Sequence, residues 1–357
     1  MGVRKTVVLA VLVSLWWTTN GWNGIAMQSM RREENVLAVT LLVTHLQLLC
    51  GGVLGGCLLA SRGGLWVAIR LDRSRCQLAF LHLIGSTMTN LGFMFGSASL
   101  VQIVKLLEPL ETLAWRQFLF REQKPPSRGV IGSMVVVVGA SMTLVRSRGP
   151  DTSYVSILCA LLSGLTLSAR NVCQREKVSA NGSAWEESLA QFTQLSLHCS
   201  LFTFPISLVL VFGTDTSEAM TWQALLWHPL YNLFSMLTLG FCGSSLTHSL
   251  LNVGKRVVAI LAAMLWFGEP VSLGTSVGLI VVSMGALWYA YESKRRTSGT
   301  SVASLYGAIV LLSIAVGAQT MESQLRLMTD MVGRELSTIP ISAADWLSEG
   351  PRSGGTS

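Results

Sequence analysis

Ten apolar stretches of about 20 residues, joined by short polar connections, constrain this chain more than any single motif in it. They lie at 6–27, 36–60, 77–97, 99–120, 129–146, 153–173, 188–213, 222–243, 246–267 and 272–292. A helix of that length crosses the hydrocarbon core of a bilayer and satisfies its backbone N–H and C=O groups internally. Half of the residues are hydrophobic and only 13% are charged, which a soluble domain of 357 residues does not show. The sequence therefore predicts an all-α, multi-pass integral membrane protein with ten transmembrane helices and the lipid bilayer as its surroundings. The first run follows two cations but precedes no small-residue cleavage site, so it reads as an uncleaved span.

The net charge of +7 does not point to nucleic acid, because the surplus sits in the short connections where it orients the chain in the bilayer. The N-terminus and the even-numbered connections hold fourteen Lys and Arg, and the odd-numbered ones only Arg31, Arg32, Arg146 and Arg148. That bias predicts both ends of the ten-span body on the cytosolic side. The sequon Asn181-Gly182-Ser183 then falls away from glycosylating enzymes. Seven cysteines are scattered without a CxxC pair or a histidine spacing that would hold a metal, so no metal and no cofactor is expected. Beyond the body, the apolar stretch 302–318 is short enough to be either an eleventh crossing or an interfacial helix, and a polar tail follows it.

An internal repeat emerges when spans four and five are laid over nine and ten. GSASL at 96–100, an apolar helix and FREQ at 120–123 lead to Gly132 and Gly139-Ala140. In the second copy GSSL at 243–246, an apolar helix and FGEP at 267–270 lead to Gly278 and Gly285-Ala286. Five crossings per copy is an odd number, so the second copy enters the membrane upside down. The expectation is two inverted five-helix repeats, 1–150 and 151–296, followed by a linker, apolar helix and tail at 297–357, with a site near mid-membrane between the halves.

Four cations interrupt the apolar spans: Lys105, Arg170 and the adjacent Lys255-Arg256. Each costs ~2.5–3.5 kcal/mol at a helix centre, so several in one bundle rival a whole fold's stability and need a purpose. Snorkelling partly accounts for Arg170 near the end of span six but not for the other three. Glu108 lies one turn from Lys105, and Glu111 and Arg116 follow, so a local salt bridge could neutralise part of span four. Nothing comparable in sequence sits near Lys255-Arg256. Two adjacent helical residues point about 100° apart, so both border open space only if a positively charged, water-filled cavity lies there. A compact phosphate dianion suits it: the Arg fork grips two oxygens and Lys adds mobile charge.

The stretches LTHSLLNVGKRVV and SLVQIVKLLEP resemble T-H-x-x-x-N-x-x-K-R-V and S-F-T-H-x-x-K-x-x-E-P of the plastidic sugar-phosphate/phosphate translocators, a family of the drug/metabolite transporter superfamily. ALLSGLTLSARNV and YNLFSMLTL resemble the family's sixth and eighth spans, and the resemblance covers roughly residues 10–296. It implies that Lys105, Lys255 and Arg256 hold a phosphate group, that Arg170 joins as substrate contact or gate, and that Thr89 donates a hydroxyl. It also implies that Tyr231, or Asn232 if the alignment carries no insertion, touches the organic part of the substrate. Two departures concern that organic part: the family's histidine before the lysine is Gln102, and another histidine position is Ser86.

The expected function is a secondary antiporter that exchanges inorganic phosphate for a phosphorylated three-carbon compound (triose phosphate, phosphoglycerate or phosphoenolpyruvate) or a sugar phosphate by alternating access. The resemblance implies a plastid envelope or a surrounding plastid membrane. No long hydrophilic transit peptide precedes the first span, so the inner envelope would need another import signal or a removed segment. The competing expectation is a nucleotide-sugar transporter of the Golgi or endoplasmic reticulum, in which the lysine is commonly followed by another residue. A membrane enzyme is disfavoured because no acid/base or nucleophile constellation accompanies the cations beyond Glu108. His45, His82, His198 and His228 read as packing residues, His248 as shaping a helix start, Pro109 as kinking span four, and LCGGVLGGC as a helix-packing surface.

Overall fold

The computed structural model describes residues 3–30, 35–61, 73–120, 127–146, 153–175, 184–213, 221–241, 245–269 and 271–296. Among them there is no strand, and every one of the ten apolar stretches is helical. The helices are α1 (Val3–Ser29), α2 (Val36–Ala60), α3 (Arg73–Phe95), α4 (Ala98–Val104), α5 (Glu108–Phe120), α6 (Ser127–Arg146), α7 (Tyr154–Arg175), α8 (Ala184–Gly213), α9 (Trp222–Phe241), α10 (Ser245–Phe267) and α11 (Leu273–Arg296). Five of these, α2, α3, α7, α8 and α10, are long and apolar enough to cross a membrane. The stretch 302–318, the tail and the sequon lie outside the described residues.

The fourth span is two helices joined by a tight turn. A 3₁₀ turn at Lys105–Leu107 separates α4 from α5, and Pro109 occupies the first turn of α5. Proline has no N–H to donate and crowds the carbonyl four residues earlier, here that of Lys105, so the α-helical ladder tightens ahead of it. The helix break thus falls on a buried cation in the middle of the span, as the position of Pro109 led one to expect.

Neighbouring helices pack in a regular pattern: α1 with α9, α2 with α8, α3 with α7, α6 with α11, and α4 and α5 with α10. Lipid tails give apolar side chains no drive to leave them, so such pairs depend on close van der Waals fit and small residues. The α6–α11 pair is antiparallel. A β-carbon on Gly139 would stand 2.6 Å from the carbonyl oxygen of Gly278, and one on Gly285 would stand 2.9 Å from that of Gly132. The two glycine pairs spaced seven apart in the sequence therefore lie where the backbones of these helices approach closely. The glycine-rich stretch of α2 likewise packs, with Gly51, Gly52 and Gly55 against Ser196, Leu197 and Thr193 of α8.

One end of the bundle is tied by polar contacts that originate in FGEP and GSASL. Gly268 takes the left-handed conformation (φ 65°) and ends α10, with the Glu269 N–H donating to the Met264 carbonyl at 2.9 Å. This stop brings Glu269 to Ser99 of α4, whose hydroxyl donates to the carboxylate. Ser97 caps α4 by accepting from the Leu100 N–H, and the Ala98 N–H donates to Gln28 of α1 at 2.6 Å. Helices α1, α4 and α10 are thereby fastened together at that end.

A candidate anion site between the helices

The break in span four and the middle of α10 face each other across a polar cavity. All six residues singled out in the sequence line it: Thr89 from α3, Lys105 from the 3₁₀ turn, Arg170 from α7, Tyr231 from α9, and Lys255 and Arg256 from α10. Asn232, the alternative to Tyr231, lines it as well. The four cations are buried, none with more than 7% of its surface exposed. Four cations buried around one space create a positive potential that favours negative charge there.

The partners of each cation set what it is free to do. Arg256 is bound to Glu108 of α5 in an ion pair and donates to the Gln102 side chain at 3.2 Å. Glu108 also accepts from Asn252, one turn before Arg256, and from Asn171 at 3.4 Å. This corrects the sequence expectation twice: Glu108 does not pair with its neighbour Lys105, and Arg256 is not without a carboxylate. Sequence spacing sees only partners on the same helix, whereas the partner of Arg256 comes from another helix by tertiary packing.

Lys105 donates to the Thr89 hydroxyl, which is itself hydrogen-bonded to Ser163 at 2.6 Å. Lys255 has an aromatic setting: its ammonium lies 4.8 Å from the centroid of the Trp16 ring and 6.0 Å from that of Tyr231. Arg170 donates to the Asn171 side-chain amide oxygen at 2.6 Å and meets His82 at 2.6 Å. Among the described residues, Arg256–Glu108 is the one ion pair of the cavity, so no carboxylate is in ion-pair contact with Lys105, Lys255 or Arg170.

Arg170 does not snorkel. It turns inward from α7 with 4% of its surface exposed, and His82, expected to be an isolated packing residue, holds its guanidinium. His248 stacks on Trp16 with ring centroids 4.7 Å apart and reaches the Ser235 carbonyl at 3.2 Å, as befits a residue that fixes the start of α10. Of the two departures from the family's histidines, Gln102 lines the cavity, while Ser86 is buried in α3.

Sequence reasoning missed the contribution of α1. Trp16 faces Lys255, and Asn20 and Asn23 line the cavity with the Asn20 Nδ2 and Asn23 Oδ1 atoms unpartnered. The one available signal was the i, i+3 spacing of two asparagines inside an apolar span, which places both on one helix face.

Residues 7–290 match the profile of the Triose-phosphate Transporter family. The chain belongs to that family. As a member of the triose-phosphate transporter family it is similar to two phosphoenolpyruvate/phosphate translocators of Oryza sativa subsp. japonica, both described as chloroplastic. Translocator 1 is 24% identical over 81% of this chain and 72% of its own, and translocator 3 is 29% identical over 57% and 54%. The chloroplastic triose phosphate/phosphate translocator of non-green plastids from Brassica oleracea var. botrytis is 25% identical over 81% of this chain and 73% of its own. A solved crystal structure, 17% identical, superposes on 83% of this chain and 99% of its own with a TM-score of 0.57, which shows that the triose-phosphate transporter chain shares its fold. With five helices able to cross a bilayer, it is a multi-pass membrane protein.

Proposed function

We propose that this protein is a secondary antiporter that exchanges inorganic phosphate for a phosphorylated three-carbon compound or a sugar phosphate, in a plastid envelope or a surrounding plastid membrane. The observation that carries the reading is the convergence of Lys105, Lys255, Arg256, Arg170, Thr89 and Tyr231 on one buried cavity with Glu108 as, among the described residues, the single carboxylate lining it. Lys105, Lys255 and Arg256 grip the phosphate, Arg170 and Thr89 extend the donor set, and Tyr231 meets the organic part. The names of the similar translocators support phosphate as one of the exchanged partners.

Two inverted repeats, 1–150 and 151–296, form the moving parts in this reading. Advancing each span by five exchanges α1 with α7, α2 with α8, α3 with α9, the α4–α5 span with α10, and α6 with α11. That exchange turns the α3–α7 pair into α9–α1 and leaves the other three principal pairings unchanged, a pattern that supports a two-fold axis through the cavity.

Obligatory exchange follows from charge. A dianion offsets Lys105 and Lys255 and shares Arg256 with Glu108, so the loaded protein closes over a nearly neutral centre. The empty one would close over unmatched cations, which a low-dielectric interior penalises.

Purified protein in liposomes preloaded with phosphate tests this against a panel of phosphorylated metabolites and nucleotide sugars. The expected result is uptake of phosphorylated compounds only when a counter-substrate is inside. Equal uptake into empty liposomes, or uptake of nucleotide sugars alone, would overturn it.

A further inference from the structure

Glu111 stands one turn beyond Glu108 on α5, buried with 8% of its surface exposed, and takes no part in the binding described above. Its carboxylate is wedged against α7, where a β-carbon on Gly164 would stand 2.6 Å from Oε1, and its one hydrogen bond among the described residues is from the Ser168 hydroxyl at 3.1 Å. Among the described residues no cation closes an ion pair with it.

An ionised carboxylate buried with one hydroxyl donor is costly, and a second carboxylate one turn away raises that cost. On its own helix Glu108 stands one turn earlier and is bound to Arg256 of α10, and Lys105 lies on the preceding 3₁₀ turn. Arg116, five residues along, falls on another side of the helix and has an interaction of its own. Helix α7 offers Ser168 at the carboxylate, with Arg170 further on turned to His82 and Asn171. Helix α6, which also packs on α5, has no titratable side chain between Val130 and Val145.

We propose that Glu111 is a proton-binding site linked to anion binding in the cavity, so that the protein takes up a proton when phosphate enters and returns it when phosphate leaves. The proposal rests on the phosphate-exchange reading. The link is electrostatic. Arg256, held on the neighbouring Glu108, and Lys105, on the turn that leads into α5, favour a bare carboxylate at Glu111, and both are among the cations that a dianion occupies. Phosphate bound to them withdraws that support, and the carboxyl then takes a proton from water. By reciprocity, a proton on Glu111 tightens phosphate binding by the same factor. Nothing is oxidised or reduced, and the proton returns to water on release.

The test is phosphate binding to the purified wild-type protein and to Glu111→Gln between pH 6 and pH 8. It is paired with an indicator-dye count of protons taken up from weakly buffered solution when phosphate adjusted to the same pH is added. Phosphate's own titration is common to both proteins and cancels in the comparison. The wild-type affinity is expected to fall roughly tenfold more than that of Glu111→Gln from acid to alkaline pH, a usual size for coupling between two sites, and the variant is expected to take up fewer protons. Ser168→Ala removes the donor that favours the bare carboxylate, so it is expected to move the pH dependence to higher pH; this variant serves if Glu111→Gln fails to fold. Equal pH dependence and equal proton uptake in wild type and Glu111→Gln would overturn the proposal, as would a pH dependence that does not move in Ser168→Ala. Phosphate binding with the same proton count in wild type and Glu111→Gln would overturn it while leaving phosphate exchange standing. No phosphate binding at any pH would overturn both.

Discussion

The guanidinium of Arg256 on α10 is bound to the carboxylate of Glu108 on α5, 148 residues earlier in the chain. Asn252 and Asn171 donate to the same carboxylate, so one acidic side chain gathers α5, α7 and α10 around the cavity. A buried pair of this kind adds little net stability, yet removing one partner strands the other, at a cost of about 3–5 kcal/mol. Its position suits the proposed function: Glu108 holds Arg256 in place, and in that reading an incoming anion shares Arg256 with it.

Arg256→Ala is expected to abolish phosphate exchange and to lower thermal stability in detergent by about 3–5 kcal/mol. Adding Glu108→Gln should recover much of the stability, because the stranded charge is gone, but none of the exchange. Melting curves and liposome exchange on the two single variants and the double variant check this. Recovery of exchange in the double variant would show that Arg256 serves only to neutralise Glu108.

Lys255→Ala is expected to abolish exchange while the protein still inserts and folds. The ammonium rests on Trp16 and has no carboxylate partner among the described residues, so its loss leaves no charge stranded. Normal transport by this variant would count against the assignment of the cavity.

His82→Ala should weaken exchange roughly tenfold, because it frees a guanidinium now held between His82 and Asn171 to leave its productive orientation. His82→Gln, which retains a hydrogen-bonding group, should restore part of the rate. A rate unchanged in His82→Ala would show that Arg170 needs no such support.

Inorganic phosphate should raise the melting temperature of the purified protein, since it binds the folded state alone. At a hundred times its dissociation constant the gain is about 2.7 kcal/mol. Lys105→Ala should remove most of that gain. A phosphate-induced shift of equal size in wild type and Lys105→Ala would place the anion elsewhere.

Gly139→Ala puts a β-carbon 2.6 Å from the Gly278 carbonyl oxygen, where backbone faces backbone and neither helix can yield by rotating a side chain. The expected cost is about 1–3 kcal/mol, the range for overpacking, read as a lower melting temperature. An unchanged melting temperature would mean that α6 and α11 can separate freely.

Apolar length and buried charge made much of this protein legible in the sequence. Runs of about 20 apolar residues have to be helices in lipid, because no other backbone leaves so few polar groups unpaired. Each of the ten stretches is indeed helical, and Pro109 marked the interruption at Lys105–Leu107. Cations too deep to snorkel announced a shared cavity, and Lys105, Lys255 and Arg256 meet in one. What the tertiary structure alone decided is which neighbour each cation meets. Glu108 is one turn from Lys105 in sequence but binds Arg256, His82 proved to be the partner of Arg170, and Trp16 of α1 sits under Lys255. Periodicity fixes the face of a helix that a residue occupies, whereas the rotation and crossing of separate helices fix what that face touches, and no local pattern in the chain encodes those.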